Sequence, residues 1–201
     1  IVAGMDNGYA VTASASDQPT ASITISINPP GSGTVTGGGT WSVGSSQTLV
    51  ATPSSGYAFI RWHDNVTQSQ RTVVVPTGGT NLTAYFTNMT YSLTIATNPA
   101  AGGTVAPNPG PGANGKYAHG AVVTLTASNK AGYIFSGWSG ALTGSGNPQQ
   151  LTMTADKAVT ANFSTATASI ILATNPAGSG TVTGGGTFAV GTSRTLTATP
   201  N

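Results

Sequence analysis

The chain has 201 residues, of which 28 are Gly and 34 Thr, and only 5% are charged, against about 25% in an ordinary soluble domain. Six cations and four Asp, with no Glu, leave a net charge of +2, too sparse for a nucleic-acid footprint, which needs many Lys and Arg on phosphates. Without Cys there is neither a disulfide framework nor a thiolate metal site, and the longest apolar run, 170–173 (IILA), is far short of the roughly 20 residues that span a bilayer.

Residues 1–16 read as the C-terminal part of a preceding repeat. The stretch 5–13 (MDNGYAVTA) aligns with 153–161 (MTADKAVTA), and Ala15 stands where the other copy has Phe163. No secretory leader is visible at Ile1. A linker with Asp17 and Pro19 follows.

A full repeat is expected over 21–87. Ile23, Ile25 and Ile27 alternate with Thr24 and Ser26, the pattern of a half-buried strand. Asn28, Pro29, Pro30 and Gly31 make a turn, and 33–36 (GTVT) is a second strand, so the pair reads as a hairpin. Gly37, Gly38 and Gly39 break the pattern. Trp41, Val43 and Gly44 form a compact link with room for a short helical turn before Gly44, and before Gly120 in the next copy. Strands follow at 47–52 (QTLVAT), 57–62 (YAFIRW), 71–75 (RTVVV) and 82–86 (LTAYF), with a polar loop over 64–69. In the second of these, Tyr57 and Phe59 share a face, and Trp62 is expected just past the strand end, closing over a small core.

A second full repeat, 91–164, restates the scheme with Tyr133, Phe135 and Trp138. It carries six extra residues in a Pro/Gly loop over 107–115, expected to be exposed. Residues 168–201 are the N-terminal half of a further repeat, in which 181–190 (TVTGGGTFAV) nearly copies 34–43 (TVTGGGTWSV). A chain framed by part-repeats reads either as a window on a longer repetitive protein or as one whose split repeats are completed between neighbours. Gly, Thr, Pro and Val disfavour helix throughout. The expected fold class is all-β, small units of roughly 70 residues arranged as an elongated tandem array.

The run Asn98-Pro99, Gly103-Thr104-Val105, 123–127 (VTLTA), 132–140 (GYIFSGWSG), Asn147-Pro148 and 159–163 (VTANF) resembles the divergent internalin B-repeat family. The resemblance covers nearly the whole chain, the second repeat best. The first departs from it where Ile60-Arg61-Trp62-His63-Asp64 replaces the Gly-Trp-Ser-Gly motif. It implies a β-grasp-like, strand-dominated fold, spacer or adhesive roles on extracellular bacterial proteins, and no catalytic motif.

The residues that could carry chemistry have plainer readings. His119 occupies a slot filled by Val43 and Val190 in the other copies, which marks a packing position. His63 neighbours Asp64, and a His-Asp pair can orient a general base, yet Ser139 and Gly140 replace the pair in the second repeat. Asp6, Asp17, Asp64 and Asp156 lie in separate repeats or a linker, so neither paired acids across a sugar nor a carboxylate-rich calcium loop is expected. Trp62 and Trp138 share one slot, and Trp41, Tyr117 and Phe188 another. Interchange of ring types favours packing, with sugar stacking on Trp62, Trp138 or Tyr117 as the competing use. Four sequons, at Asn65, Asn81, Asn88 and Asn162, are candidate glycosylation sites.

The expectation is a non-enzymatic extracellular structural protein of a bacterial or archaeal surface, without cofactor or metal. It would form the shaft of an adhesin or the body of a fibre, with copies joined head to tail by strand complementation. Its partners would be neighbouring copies or adjacent repeats, and glycans or other cell-surface material, with no nucleic acid and no membrane span. The alternative is a carbohydrate-binding module using exposed aromatics.

Overall fold

The structure, a computed structural model, describes residues 18–201; the expected preceding repeat over 1–16 lies outside them. The chain separates into two units, one through Met89 and one from Thr90. Every regular element among the described residues is a strand, and the all-β class follows directly from the sequence's Thr, Val and Ile alternation.

The first repeat has seven strands: β1 (Thr20–Asn28), β2 (Gly33–Thr36), β3 (Gly39–Ser42), β4 (Ser46–Pro53), β5 (Tyr57–Trp62), β6 (Gln70–Val74) and β7 (Thr80–Asn88). They form two sheets, ordered β3-β1-β7-β5 and β2-β4-β6. β1 runs antiparallel to β3 and parallel to β7. A parallel neighbour needs a crossover rather than a tight turn, and the intervening strands supply it by building the second sheet.

This topology corrects two readings. β1 and β2 do not form a hairpin. Both edges of β1 are occupied, by β3 and β7, and the turn after Asn28 carries the chain into the other sheet, where β2 pairs with β4. The Ser32 hydroxyl and amide both donate to the Pro29 carbonyl and hold that turn. The link around Trp41 is strand β3, pairing Trp41 with Ala21, and the turn before Gly44 is not helical.

The second repeat repeats the plan. β8 (Thr90–Tyr91) and β9 (Leu93–Asn98) share the place of β1. The rest are β10 (Gly103–Asn108), β11 (Tyr117–Ala118), β12 (Val122–Asn129), β13 (Tyr133–Gly140), β14 (Gln149–Thr152) and β15 (Lys157–Thr165). β9 lies parallel to β15, and β10-β12-β14 form the second sheet. The Asp156 carboxylate accepts from the Ser92 amide at 2.7 Å and pins the break between β8 and β9 to the start of β15. The inserted loop over 109–116 is exposed.

Each core is closed within its own repeat. In the first it comprises Ala21, Ile23, Leu49, Ala51, Trp62, Val75, Leu82, Ala84 and Phe86; in the second Tyr117, Val123, Leu125, Trp138, Met153, Val159, Ala161 and Phe163 are central. One residue, Met89, separates β7 from β8, and one, Ala166, separates β15 from the next strand.

Residues 167–201 hold β16 (Thr167–Ile170), β17 (Gly180–Thr183), β18 (Gly186–Ala189) and β19 (Thr197–Pro200), pairing as β16-β18 and β17-β19. These match β1-β3 and β2-β4, because Ile170 faces Gly186 as Ile23 faces Gly39, and Gly180 faces Pro200 as Gly33 faces Pro53.

Candidate functional site

The aromatic motif is built by a bulge. Phe59 and Trp62 are three apart, an odd spacing that a regular strand would send to opposite faces. The pairing shifts between Phe59 and Arg61, and between Phe135 and Gly137 in the second repeat. One residue, Ile60 or Ser136, is left unpaired, and each Trp returns to the inside. The tryptophans therefore lie within β5 and β13, not beyond their ends. In each copy the Phe ring meets Trp edge-on, at 5.6 Å in the first repeat and 5.0 Å in the second, and meets the closing Phe of the last strand in the same way.

Trp62 and Trp138 are 0% and 4% exposed, and their indole N–H groups donate to the carbonyls of Gln68 and Gly146. Tyr117 is buried too, and that burial pushes its hydroxyl above the ordinary 10.0. The faces of these three rings are thus committed to protein atoms, and none stands open to stack a sugar. Trp41, which shares Tyr117's slot, is partly exposed at the edge of its sheet.

The acid beside His63 is engaged as well. Asp64 gives both oxygens to Arg71, at 2.8 and 2.7 Å, rather than to His63. Burial alone would raise its carboxyl, but the Arg71 hydrogen bond and charge outweigh it and hold Asp64 below its ordinary value. Arg71 in turn lies over the Trp62 ring, 5.7 Å from its centroid. The His63 side chain is exposed, so the two neighbours do not form a catalytic pair. His119 is half-buried against Tyr91, with Nδ1 3.4 Å from the phenol oxygen. Among the described residues no three His, Asp or Glu gather as metal ligands, and Asp6 and Asp17 lie outside them.

The sequons fall in different settings. Asn65 is exposed in the loop after β5, with a φ of 68°, and Asn81 and Asn88 are exposed on β7. Asn162 is half-buried, and its amide nitrogen already donates to the Gly137 carbonyl and the Ser139 hydroxyl.

One feature escapes a reading of motifs. The closing aromatics Phe86 and Phe163 seat their rings directly on Gly33 and Gly103, where any Cβ would collide with the ring. In residues 170–201 the matching Gly180 has no ring above it, and an open hollow of about 330 Å³ lies there, lined by Ala173, Asn175, Gly180, Val182, Ala198 and Pro200. The signal was present as a Gly before each Thr-Val and a Phe closing each complete unit, but their contact is across sheets and has no fixed sequence spacing.

The model of the divergent InlB B-repeat domain matches residues 23–90, 93–167 and 170–201. The chain belongs to this family. Comparison with curated proteins and with solved structures returns no match. Divergent InlB B-repeats are bacterial surface repeats, and the three matched stretches coincide with the three copies of the strand plan. Among the described residues no helix is long and apolar enough to cross a membrane.

Proposed function

We propose that this divergent InlB B-repeat chain is non-enzymatic building material outside the bacterial cell: the shaft of an adhesin or the body of an extracellular fibre. The observation that carries the reading is that each complete repeat closes its own core while a single residue joins its last strand to the first strand of the next. Such modules extend a chain without needing a partner to fold. Between them they expose Thr, Ser and Asn instead of charge, so contact with like chains meets little electrostatic repulsion. The carboxylate and rings that might have served chemistry are tied to Arg71 and to core atoms. Head-to-tail joining of copies by an added strand fits the same material.

Solution scattering on residues 18–166, compared with residues 90–166 alone, tests the shaft. The longer piece is expected to gain about one repeat length in maximum dimension with an unchanged cross-section. A compact particle of both repeats would sink the reading. The carbohydrate-binding alternative predicts glycan-array binding that Trp62→Ala abolishes without unfolding.

A further inference from the structure

The two complete repeats share a plan but not the outer face of the sheet that carries the Trp. Alternation along β7 buries Leu82, Ala84 and Phe86 and turns Thr83 and Tyr85 outward. Beside them on β1 lie Ser26 and Asn28, both exposed, and on β5 Arg61 lies beside Tyr85. The bulge turns Ile60 and Arg61 outward before Trp62 returns to the core. His63 follows, exposed, with its amide donating to the Thr83 carbonyl. Where the first repeat has Ile60, Arg61, His63 and Tyr85, the second has Ser136, Gly137, Ser139 and Asn162. There Asn162 knits the face to itself through the Gly137 carbonyl and the Ser139 hydroxyl. The plan thus folds with small neutral groups in these places and does not require the cation, the imidazole or the phenol.

Arg61 is also the cation of the first repeat that no acid answers among the described residues. Asp64 is held by Arg71 of the other sheet. The Arg61 guanidinium lies 4.5 Å over the Tyr85 ring, and its Nη1 donates to the Trp62 carbonyl at 3.2 Å. Together these contacts set the plane of the guanidinium, and its remaining N–H groups have no acceptor among the described residues. We propose that this face binds an acidic polysaccharide, with Arg61 on a uronate carboxylate and Ser26, Asn28, Thr83 and His63 on the sugar hydroxyls around it. The guanidinium fork matches a carboxylate with two parallel hydrogen bonds. A single fixed cation among neutral hydroxyls and amides suits a polymer whose carboxylates stand between many hydroxyls. A densely sulfated or phosphorylated chain would call for cations along its length, and an acidic peptide has no ring hydroxyls for Ser26, Asn28 and Thr83. Tyr85 acts through Arg61: its ring is covered by the guanidinium and orients it.

Biolayer interferometry of the 201-residue chain over immobilised short oligogalacturonate tests the site, with dextran, dextran sulfate and poly-glutamate as comparison surfaces. The parent is expected to bind oligogalacturonate saturably and more tightly than the other three. Arg61→Gln is expected to raise the dissociation constant at least about tenfold, the value of one charge-assisted contact. Lys116→Gln, in the exposed loop of the second repeat, is expected to change it by less than about twofold, as a screened surface charge should. Arg61→Lys keeps the charge without the fork and is expected to bind at least about threefold more weakly than the parent; it decides the matter if the Gln variant fails to fold by tryptophan emission. Tyr85→Asn is expected to weaken binding, and Tyr85→Phe, which keeps the ring under the guanidinium, to recover the loss. No binding of oligogalacturonate, equal or tighter binding to dextran, dextran sulfate or poly-glutamate, or a loss no greater in the Arg61 variants than in Lys116→Gln would each overturn the site. Scattering bears on the shaft and not on this face, so either reading can fail alone.

Discussion

Trp62 and Trp138 set the residue-scale energetics of their repeats. Each is fully enclosed, donates its indole N–H to a loop carbonyl, and meets a Phe edge-on. Truncation to Ala removes the ring, leaves a cavity and orphans the carbonyl of Gln68 or Gly146. Trp138→Ala is expected to destabilise the second repeat by about 3–5 kcal/mol, read as a lower urea midpoint. An effect below about 1 kcal/mol would mean that the ring is not a core element. Asp64 gives a smaller effect with a definite sign. Its carboxyl is held below the ordinary 3.8 in the folded chain. The stability it contributes is therefore present above the unfolded value and is lost as pH falls through the folded one, below about pH 4. Because Asp64 is 35% exposed, solvent screening limits the contribution to less than about 1 kcal/mol. Thermal melts of Asp64→Asn and the parent between pH 6 and 3 should converge as the solution acidifies. Divergence at low pH would contradict the assignment to the Arg71 pair.

At the scale of elements, the bulge decides which way each Trp points. Removing the extra residue Ser136 restores strict alternation and turns Trp138 outward, since a one-residue slip sends side chains to the opposite face. Deletion of Ser136 is expected to unfold the second repeat at room temperature, while Ser136→Ala stays within about 0.5 kcal/mol of the parent. A folded deletion variant, by circular dichroism and tryptophan emission, would show that the bulge is dispensable. The same bulge marks where the sequence stops being legible. The strands over 57–62 and 82–86 could be read from alternation and composition, because local periodicity records burial directly. The partner of each strand could not. Adjacent strands invite a hairpin reading, yet β1 and β2 belong to different sheets, and β1 finds β7 some fifty residues on through a contact that no local pattern encodes. The short β3 was hidden for a related reason. Gly37, Gly38 and Gly39 look like an interruption, whereas Gly39 lies at the start of a strand with φ of 133° and Trp41 lies within it. Of the candidate functional residues, the rings at Trp62, Trp138 and Tyr117 were correctly placed in the core by the exchange of ring types between copies. The groove over Gly180 was not foreseen, because it is defined by a strand that residues 170–201 do not contain.

The two complete repeats among the described residues are self-sufficient modules, each with both sheets and its own core. Every buried residue of the second core lies between Tyr117 and Phe163, with Tyr91, Leu93 and Ile95 packed against it, so nothing outside 90–166 is needed to seal it. A unit of this size holds only a marginal core, but here both sheets, the Trp and the closing Phe are all present. Residues 90–166 expressed alone are therefore expected to unfold cooperatively in urea, with a midpoint within about 0.5 M of the second transition in the full chain. Residues 167–201 alone should stay unfolded, since their four strands leave Ile171 91% and Leu196 48% exposed and no two-stranded pairing of this kind is stable by itself in water. Amide exchange distinguishes the two cases cleanly: protected amides along β12 and β15 in the isolated second repeat, none in the isolated part-repeat. If residues 167–201 were protected on their own, the strands they hold would not need the rest of the plan seen in the two complete repeats.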